Sequence, residues 1–256
     1  MRILPVSALL LLAVTVSSLG DDIAYETTSS GAFGTIDLTT GIFSSLGTSS
    51  QVIDAGLGVA DATLYGASNG GNTLYTVSPV NGALTTVGNS SENYDTLGST
   101  PSGGLFEVGV DGDLYSINPS NGTSTMIGAT GVAIGSTRGL SNNATTLYYQ
   151  DAGSLYQLNT STGAATLIGT NSVGIGAIVQ ESGILYGGQN QPTISVDTLN
   201  VSNGVATTGP GVTGTSDRFE GLVPTAAVVP EPGSILLLLT GAGLMLALNV
   251  RCRRAK

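Results

Sequence analysis

The chain has no histidine and no tryptophan, and its one cysteine, Cys252, lies four residues before the C-terminal Lys256. Between residues 21 and 230 there is also no lysine, and the basic side chains there are Arg138 and Arg218 alone. These absences exclude most familiar catalytic chemistry from that segment. A zinc site built on His or Cys, a Ser-His-Asp triad, a cysteine nucleophile and a Schiff-base lysine all lack their key group. With no cysteine between residues 21 and 230, the segment also has no disulfide. Carboxylates, hydroxyls, amides and two guanidinium groups remain. Sixteen carboxylates against two arginines give residues 21–230 a formal charge of −14. A field of that sign repels phosphate backbones, so nucleic acid is not an expected partner. No cofactor and no metal site is expected either. Asp111-Gly112-Asp113 has the start of a calcium loop but lacks its further ligands, and reads as a solvated turn.

Apolar residues are concentrated at the two ends. Arg2 is followed by an apolar run from Ile3 to Val16 and then by Ser18-Leu19-Gly20. This pattern predicts a signal peptide over residues 1–20, a short helix cleaved after Gly20 by signal peptidase once the secretion machinery is engaged. At the other end, Val229-Pro230-Glu231-Pro232 precedes an apolar stretch from Gly233 to Val250. A basic cluster follows, with Arg251, Arg253 and Arg254. The apolar stretch is at the short end of a membrane-spanning helix. The basic cluster would stay cytoplasmic, leaving residues 21–230 outside the inner membrane.

This three-part tail resembles the PEP-CTERM sorting signal of Gram-negative bacteria. The resemblance implies that a membrane-embedded protease, an exosortase, recognises Pro-Glu-Pro and cleaves the anchor from the exported protein. It also implies residence at the cell surface or outside the cell, in association with exopolysaccharide. The expected organisation is therefore a signal peptide at 1–20, a folded domain at 21–227 and a sorting tail at 228–256.

Gly, Ser, Thr and Asn dominate the middle of the chain, but their order is periodic. A turn string recurs five times, ending at Gly41, Gly82, Gly122, Gly163 and Gly204, at spacings of 41, 40, 41 and 41 residues. Such regularity marks a repeat architecture. In each string Asp, Ser or Asn opens a type I turn by accepting a bond from the backbone ahead. The closing Gly takes the left-handed conformation that returns the chain into the next strand. Strand-like runs flank every turn, as in Leu74-Tyr75-Thr76-Val77 before Gly82 and Leu84 to Val87 after it. A Gly closes the second strand at Gly47, Gly88, Gly128 and Gly169; the fifth repeat departs, with Pro210 at that place.

Two further columns run through the repeats. One is aromatic: Tyr25, Tyr65, Phe106, Tyr148 and Tyr186. The other is apolar: Leu57, Leu97, Leu140 and Ile178. Four short strands in about 41 residues is the size of a β-propeller blade. The first repeat lacks its innermost strand, and a spare matching segment, Glu220-Gly221-Leu222-Val223, occurs at the far end. The fold expected is all-β: a five-bladed β-propeller of about 41-residue repeats, closed by pairing residues 220–223 beside residues 23–26. An open β-solenoid is the rival architecture. The string Leu-Tyr-x-apolar-Asn-x-x-x-Gly is similar to the blades of quinoprotein-like propellers. In their quinone-binding members a tryptophan after the Gly locks adjacent blades, and this chain has no tryptophan.

Two functions fit this reading. The first is a non-catalytic binding or scaffold propeller at the cell surface, associated with exopolysaccharide. The alternative is a carboxylate-dependent glycoside hydrolase, for which Asp54, Asp95 and Glu220 are the candidate catalytic groups. Counting strands places these acids and Arg138 at one mouth of the central channel, with Asp217 and Arg218 close by in sequence.

Overall fold

The computed structural model describes residues 22–228. Gly20, Val229, Pro230, Glu231, Pro232, Arg251, Arg253 and Arg254 lie outside the described residues, and with them the expected signal peptide and sorting tail.

The described chain is all-β. In order, the strands of the first two repeats are β1 (Ile23–Thr28), β2 (Ala32–Asp37), β3 (Phe43–Thr48), β4 (Gly56–Ala60), β5 (Thr63–Ala67), β6 (Thr73–Val77) and β7 (Leu84–Asn89). Then follow β8 (Tyr94–Ser99), β9 (Leu105–Gly109), β10 (Asp113–Ile117), β11 (Ser124–Ala129), β12 (Arg138–Asn142), β13 (Leu147–Asp151), β14 (Ser154–Leu158) and β15 (Ala165–Thr170). The chain continues through β16 (Gly174–Glu181), β17 (Ile184–Gln191), β18 (Ser195–Leu199), β19 (Ala206–Thr207) and β20 (Phe219–Pro224), and the last described residues form a short helix, α1 (Thr225–Val228).

The turns form for the reason the sequence implies. Gly41, Gly82, Gly122, Gly163 and Gly204 all have φ between 72° and 81°, where a side chain would be strained. Each donates its N–H across the turn, as Gly122 does to Asn118 O at 2.8 Å. The opening residue caps the same turn: Asn159 Oδ1 accepts from Ser161 N at 2.8 Å, and Asn200 Oδ1 from Ser202 N at 2.8 Å. Antiparallel hairpins result, in the sheet orders β4-β5-β6-β7 and β8-β9-β10-β11. Strands β12–β15 and β16–β19 form one eight-stranded sheet, joined by a parallel contact limited to Ser141↔Ile178 and Asn142↔Val179.

The remaining sheet has the order β20-β1-β2-β3. Here the end of the described chain pairs beside its beginning, with Tyr25↔Val223, Glu26↔Leu222 and Thr27↔Gly221 in antiparallel register. This is the pairing expected from the spare terminal segment. It covers an edge of β1 that would otherwise present unpaired backbone groups.

The apolar column lies on the innermost strands. Leu57, Leu97, Leu140, Ile178 and Leu222 are all buried. These strands neighbour one another in the cyclic order β20, β4, β8, β12, β16 and back to β20. Only about 10 Å³ of space remains among them, bordered by Leu57, Leu97, Leu140, Ala177 and Leu222. The axis is sealed by Asn142 as well. Its Nδ2 donates to Leu57 O and Leu222 O, both at 2.8 Å, and its Oδ1 accepts from Ser99 Oγ at 2.7 Å. Apolar clusters fill the spaces between consecutive sheets, and one of them joins Phe219, Leu222, Ile36 and Ala24 to Val179, Tyr186 and Val196 across the seam.

The outer strands differ from expectation in one detail. Gly47, Gly88, Gly128 and Gly169 are followed by one more strand residue rather than ending the strand. A Cβ at these four positions would run into the main-chain carbonyls of Asn81, Asn121, Thr162 and Asn203 respectively, each just before the next turn glycine. The glycine is a docking point for the neighbouring hairpin rather than a terminator. Gly169→Ala therefore forces two backbones apart and is expected to cost about 1–3 kcal/mol. Gly211→Ala, whose added Cβ meets nothing within 4 Å, is expected to leave the melting temperature unchanged; thermal denaturation of both variants compares them directly.

Candidate functional site

The starts of the innermost strands converge on a small polar cavity of about 70 Å³. It is lined by Asp54, Asp95, Ser136, Thr137, Arg138, Gly176, Asn190, Arg218 and Glu220. Asp54, Asp95, Arg138 and Glu220 come together because each lies two or three residues before a member of the apolar column. Arg218, two residues before Glu220, joins them. Asp217 does not line the cavity. Its Oδ2 instead accepts from Ser30 Oγ at 2.5 Å and from Thr28 Oγ1 at 3.4 Å, which ties it to the β1–β2 turn.

Arg138 and Asp95 form an ion pair, with Nη2 2.7 Å from Oδ1. Arg138 Nη1 also donates to Gly135 O. Asn69 donates twice to Asp95, from Nδ2 to Oδ1 at 3.1 Å and to the main-chain O at 3.2 Å. Its own N–H donates to Asp54 Oδ1 at 2.7 Å. Asp95 Oδ2 is buried and has no partner. Burial pushes Asp95 up to about 6, even though Arg138 and Asn69 favour its charged form. Burial, and then the charge of Asp54, push Glu220 up to about 7 against the opposing pull of Arg218 and Arg138.

Asn190 reaches this site without any motif announcing it. Its Nδ2 donates to Phe219 O at 2.9 Å, and its Oδ1 accepts from Phe219 N at 2.7 Å, so its amide stands in for a strand partner of β20. It fills the space where Gly176 has no side chain. Asn69 and Asn190 each lie four residues after a member of the aromatic column, Tyr65 and Tyr186. That shared repeat position is the signal that could have found them. Among the described residues no three His, Cys, Asp or Glu side chains are grouped to hold a metal ion. Asp111 instead caps its own turn, accepting from Asp113 N at 3.0 Å and Tyr115 OH at 2.6 Å.

The cavity is far smaller than the roughly 300 Å³ at which pockets begin to enclose whole small molecules. A sugar ring does not fit inside it between two carboxylates, whereas a single functional group does. At the opposite ends of the same inner strands lies a wider cleft of about 260 Å³, lined by Val59, Asp61, Ser99, Thr100, Asn143, Pro224 and Ala227 among others.

No protein-family model matches the chain, and no curated protein matches it in sequence. Solved structures resemble it in fold. A chain of the nidogen/laminin complex superposes with a TM-score of 0.54 at 10% identity, covering 81% of this chain and 99% of that one. A symmetrical protein, solved in work on its de novo evolutionary emergence, gives a TM-score of 0.51 at 15% identity, covering 79% and 98%. The fold is accordingly β-propeller-like.

Further carboxylates are buried away from the cavity. Glu26 and Glu107 are fully buried; both Glu26 oxygens and Glu107 Oε2 lack partners. Burial raises Glu26 well above the ordinary range, with Asp217 adding to the effect. Burial likewise pushes Glu107 up to about 7, against the hydrogen bond from Ser90 Oγ at 2.8 Å. Groups with raised folded pKa values contribute stability that is complete below their unfolded pKa of about 4 and is lost as pH rises through the folded value. The melting temperature is therefore expected to fall between pH 5 and pH 8, and Glu107→Gln to flatten that decline. A melting temperature that rises over the same interval contradicts the assignment.

Arg138→Met leaves Asp95 buried without its cation. At pH 7.5 this is expected to cost about 1–3 kcal/mol, the lower part of the range for broken buried pairs because the guanidinium is partly exposed. At pH 5, where Asp95 is largely protonated, the loss should shrink. Chemical denaturation of wild type and variant at the two pH values measures the difference.

Proposed function

We propose that this chain is an exported, non-catalytic five-bladed β-propeller that is released from its membrane anchor at Pro230-Glu231-Pro232 and serves as a binding or scaffold protein associated with exopolysaccharide. The observation that carries this reading is the closure of the described chain on itself. Strand β20 is zipped to β1, and Val228, after it, packs with Tyr25 and Val223. Cleavage at the motif, which starts two residues later at Pro230, removes no described strand.

Five blades are supported by the five turn glycines and by the cyclic order of the five inner strands. The eight-stranded sheet divides into two blades at the two-residue parallel contact of β12 with β16. Binding is favoured over turnover by the small cavity and the sealed axis. The partners of this reading are signal peptidase, an exosortase-type membrane protease and an extracellular polymer.

Intact-mass analysis of secreted protein tests the processing. The mature chain is expected to begin near Asp21 and to end between Pro230 and Pro232. A secreted form that retains Arg251 to Lys256 would overturn the sorting assignment.

A further inference from the structure

The polar cavity holds more acceptors than donors. Asp95 Oδ2 lacks a partner, and the Asp95 side chain is only 2% exposed. Asp54 and Glu220 line the same space. Two of the donor side chains in the lining are spent. Arg138 is committed to Asp95 and Gly135 O, and the Asn190 amide is committed to the Phe219 backbone. Arg218 is exposed and forms no ion pair among the described residues, where Arg138–Asp95 is the one pair. With that pair cancelling, Asp54 and Glu220 outweigh Arg218. Beside the Arg218 guanidinium and the Ser136 and Thr137 hydroxyls, the space therefore holds an unpartnered buried acceptor and, when Glu220 is ionised, an excess of negative charge.

Size narrows the chemistry further. A cavity of about 70 Å³ accepts a group comparable to one or two waters, each with a share of roughly 30 Å³ in the liquid. An ammonium group has three donors and no acceptor. A carboxylate would set further acceptors against Asp95 Oδ2, Asp54 and Glu220. An acetamido group is larger and brings a carbonyl acceptor with its single N–H. The −14 charge of the surrounding domain draws a polycation toward the protein.

We propose that the cavity formed by Asp54, Asp95, Arg138 and Glu220 is a recognition pocket for a primary ammonium group borne by an amine-containing polysaccharide. This assignment rests on the polymer-binding reading and specifies its ligand. Asp95, fixed by Arg138 and Asn69, supplies an acceptor at the buried end. Asp54 and Glu220 supply two more, and the sugar ring remains outside the mouth.

The test titrates purified full-length protein with glucosamine oligomers, with the same oligomers N-acetylated, and with uronate oligomers of equal length, at a pH where the amine is protonated. The free-amine oligomer is expected to bind tighter than either comparator by about tenfold or more. The double variant Asp54→Asn/Glu220→Gln is expected to lose that preference. The double variant Asp61→Asn/Glu92→Gln, which makes the same change in net charge outside the cavity, is expected to keep it. Melting temperatures of both pairs establish that they fold. Equal weakening by the two pairs means non-specific attraction of a polycation and overturns the pocket. Equal or tighter binding of the acetylated or uronate oligomers also overturns it, while leaving the polymer-binding reading in place. Binding of none of the three overturns both.

Discussion

The architecture depends on a contact between backbones. In successive repeats the glycine near the end of an outer strand sits against the carbonyl that precedes the next turn glycine: Gly47 on Asn81, Gly88 on Asn121, Gly128 on Thr162 and Gly169 on Asn203. No side chain larger than hydrogen permits that approach. Side-chain bonds reinforce it at Ser49 Oγ to Gly82 O, 3.0 Å, and at Asn171 Nδ2 to Gly204 O, 3.2 Å. A chain without tryptophan can thus lock its outer strands by bringing main chains together instead of wedging a ring between them. The fifth repeat breaks the pattern because its neighbour is the first. There β19 is only two residues long, and Gly209-Pro210-Gly211 leads to Thr213, whose N–H donates to Gly41 O at 3.0 Å. The irregular string at Pro210 marks the seam.

Much of this was legible in the sequence because it is local and repeated. The 41-residue period carried the turns, the inner apolar column and the mouth residues Asp54, Asp95, Arg138 and Glu220 to equivalent places. Interactions across the ring were not legible. Asn142 bonds residues 85 and 80 positions away, and in a chain full of turn asparagines nothing singles it out. Asp217 looked like its neighbour Arg218, but a turn directs its carboxylate to Ser30 and Thr28. Nothing local in the sequence marks Glu26 for burial either. It is buried because β1 has β20 on one side and β2 on the other within its sheet, with neighbouring sheets packed on both faces, and alternation loses its meaning in a strand so covered.

The near-absence of basic residues has a structural cost that the fold accommodates through protonation. Glu26, Asp95, Glu107 and Asp151 are all buried, and each has at least one oxygen without a partner. With two arginines in the domain and one of them committed to Asp95, most of these groups have no cation available. A buried carboxylate without a counter-ion is least unfavourable as the neutral acid. The same imbalance on the surface keeps the domain strongly anionic, which favours solubility and attraction of cationic partners over nucleic acid.

The direction of the inner strands then relates the cavity to the rest of the chain. Strand β20 starts at the charged mouth, where Glu220 is its second residue, and ends at Pro224 on the wider opposite cleft, where α1 follows. The chain therefore leaves the described domain at Val228 on the side away from Asp54, Asp95 and Glu220. Asn142 and the leucine column seal the axis between the two sides, so a group bound at the charged mouth has no route through the ring.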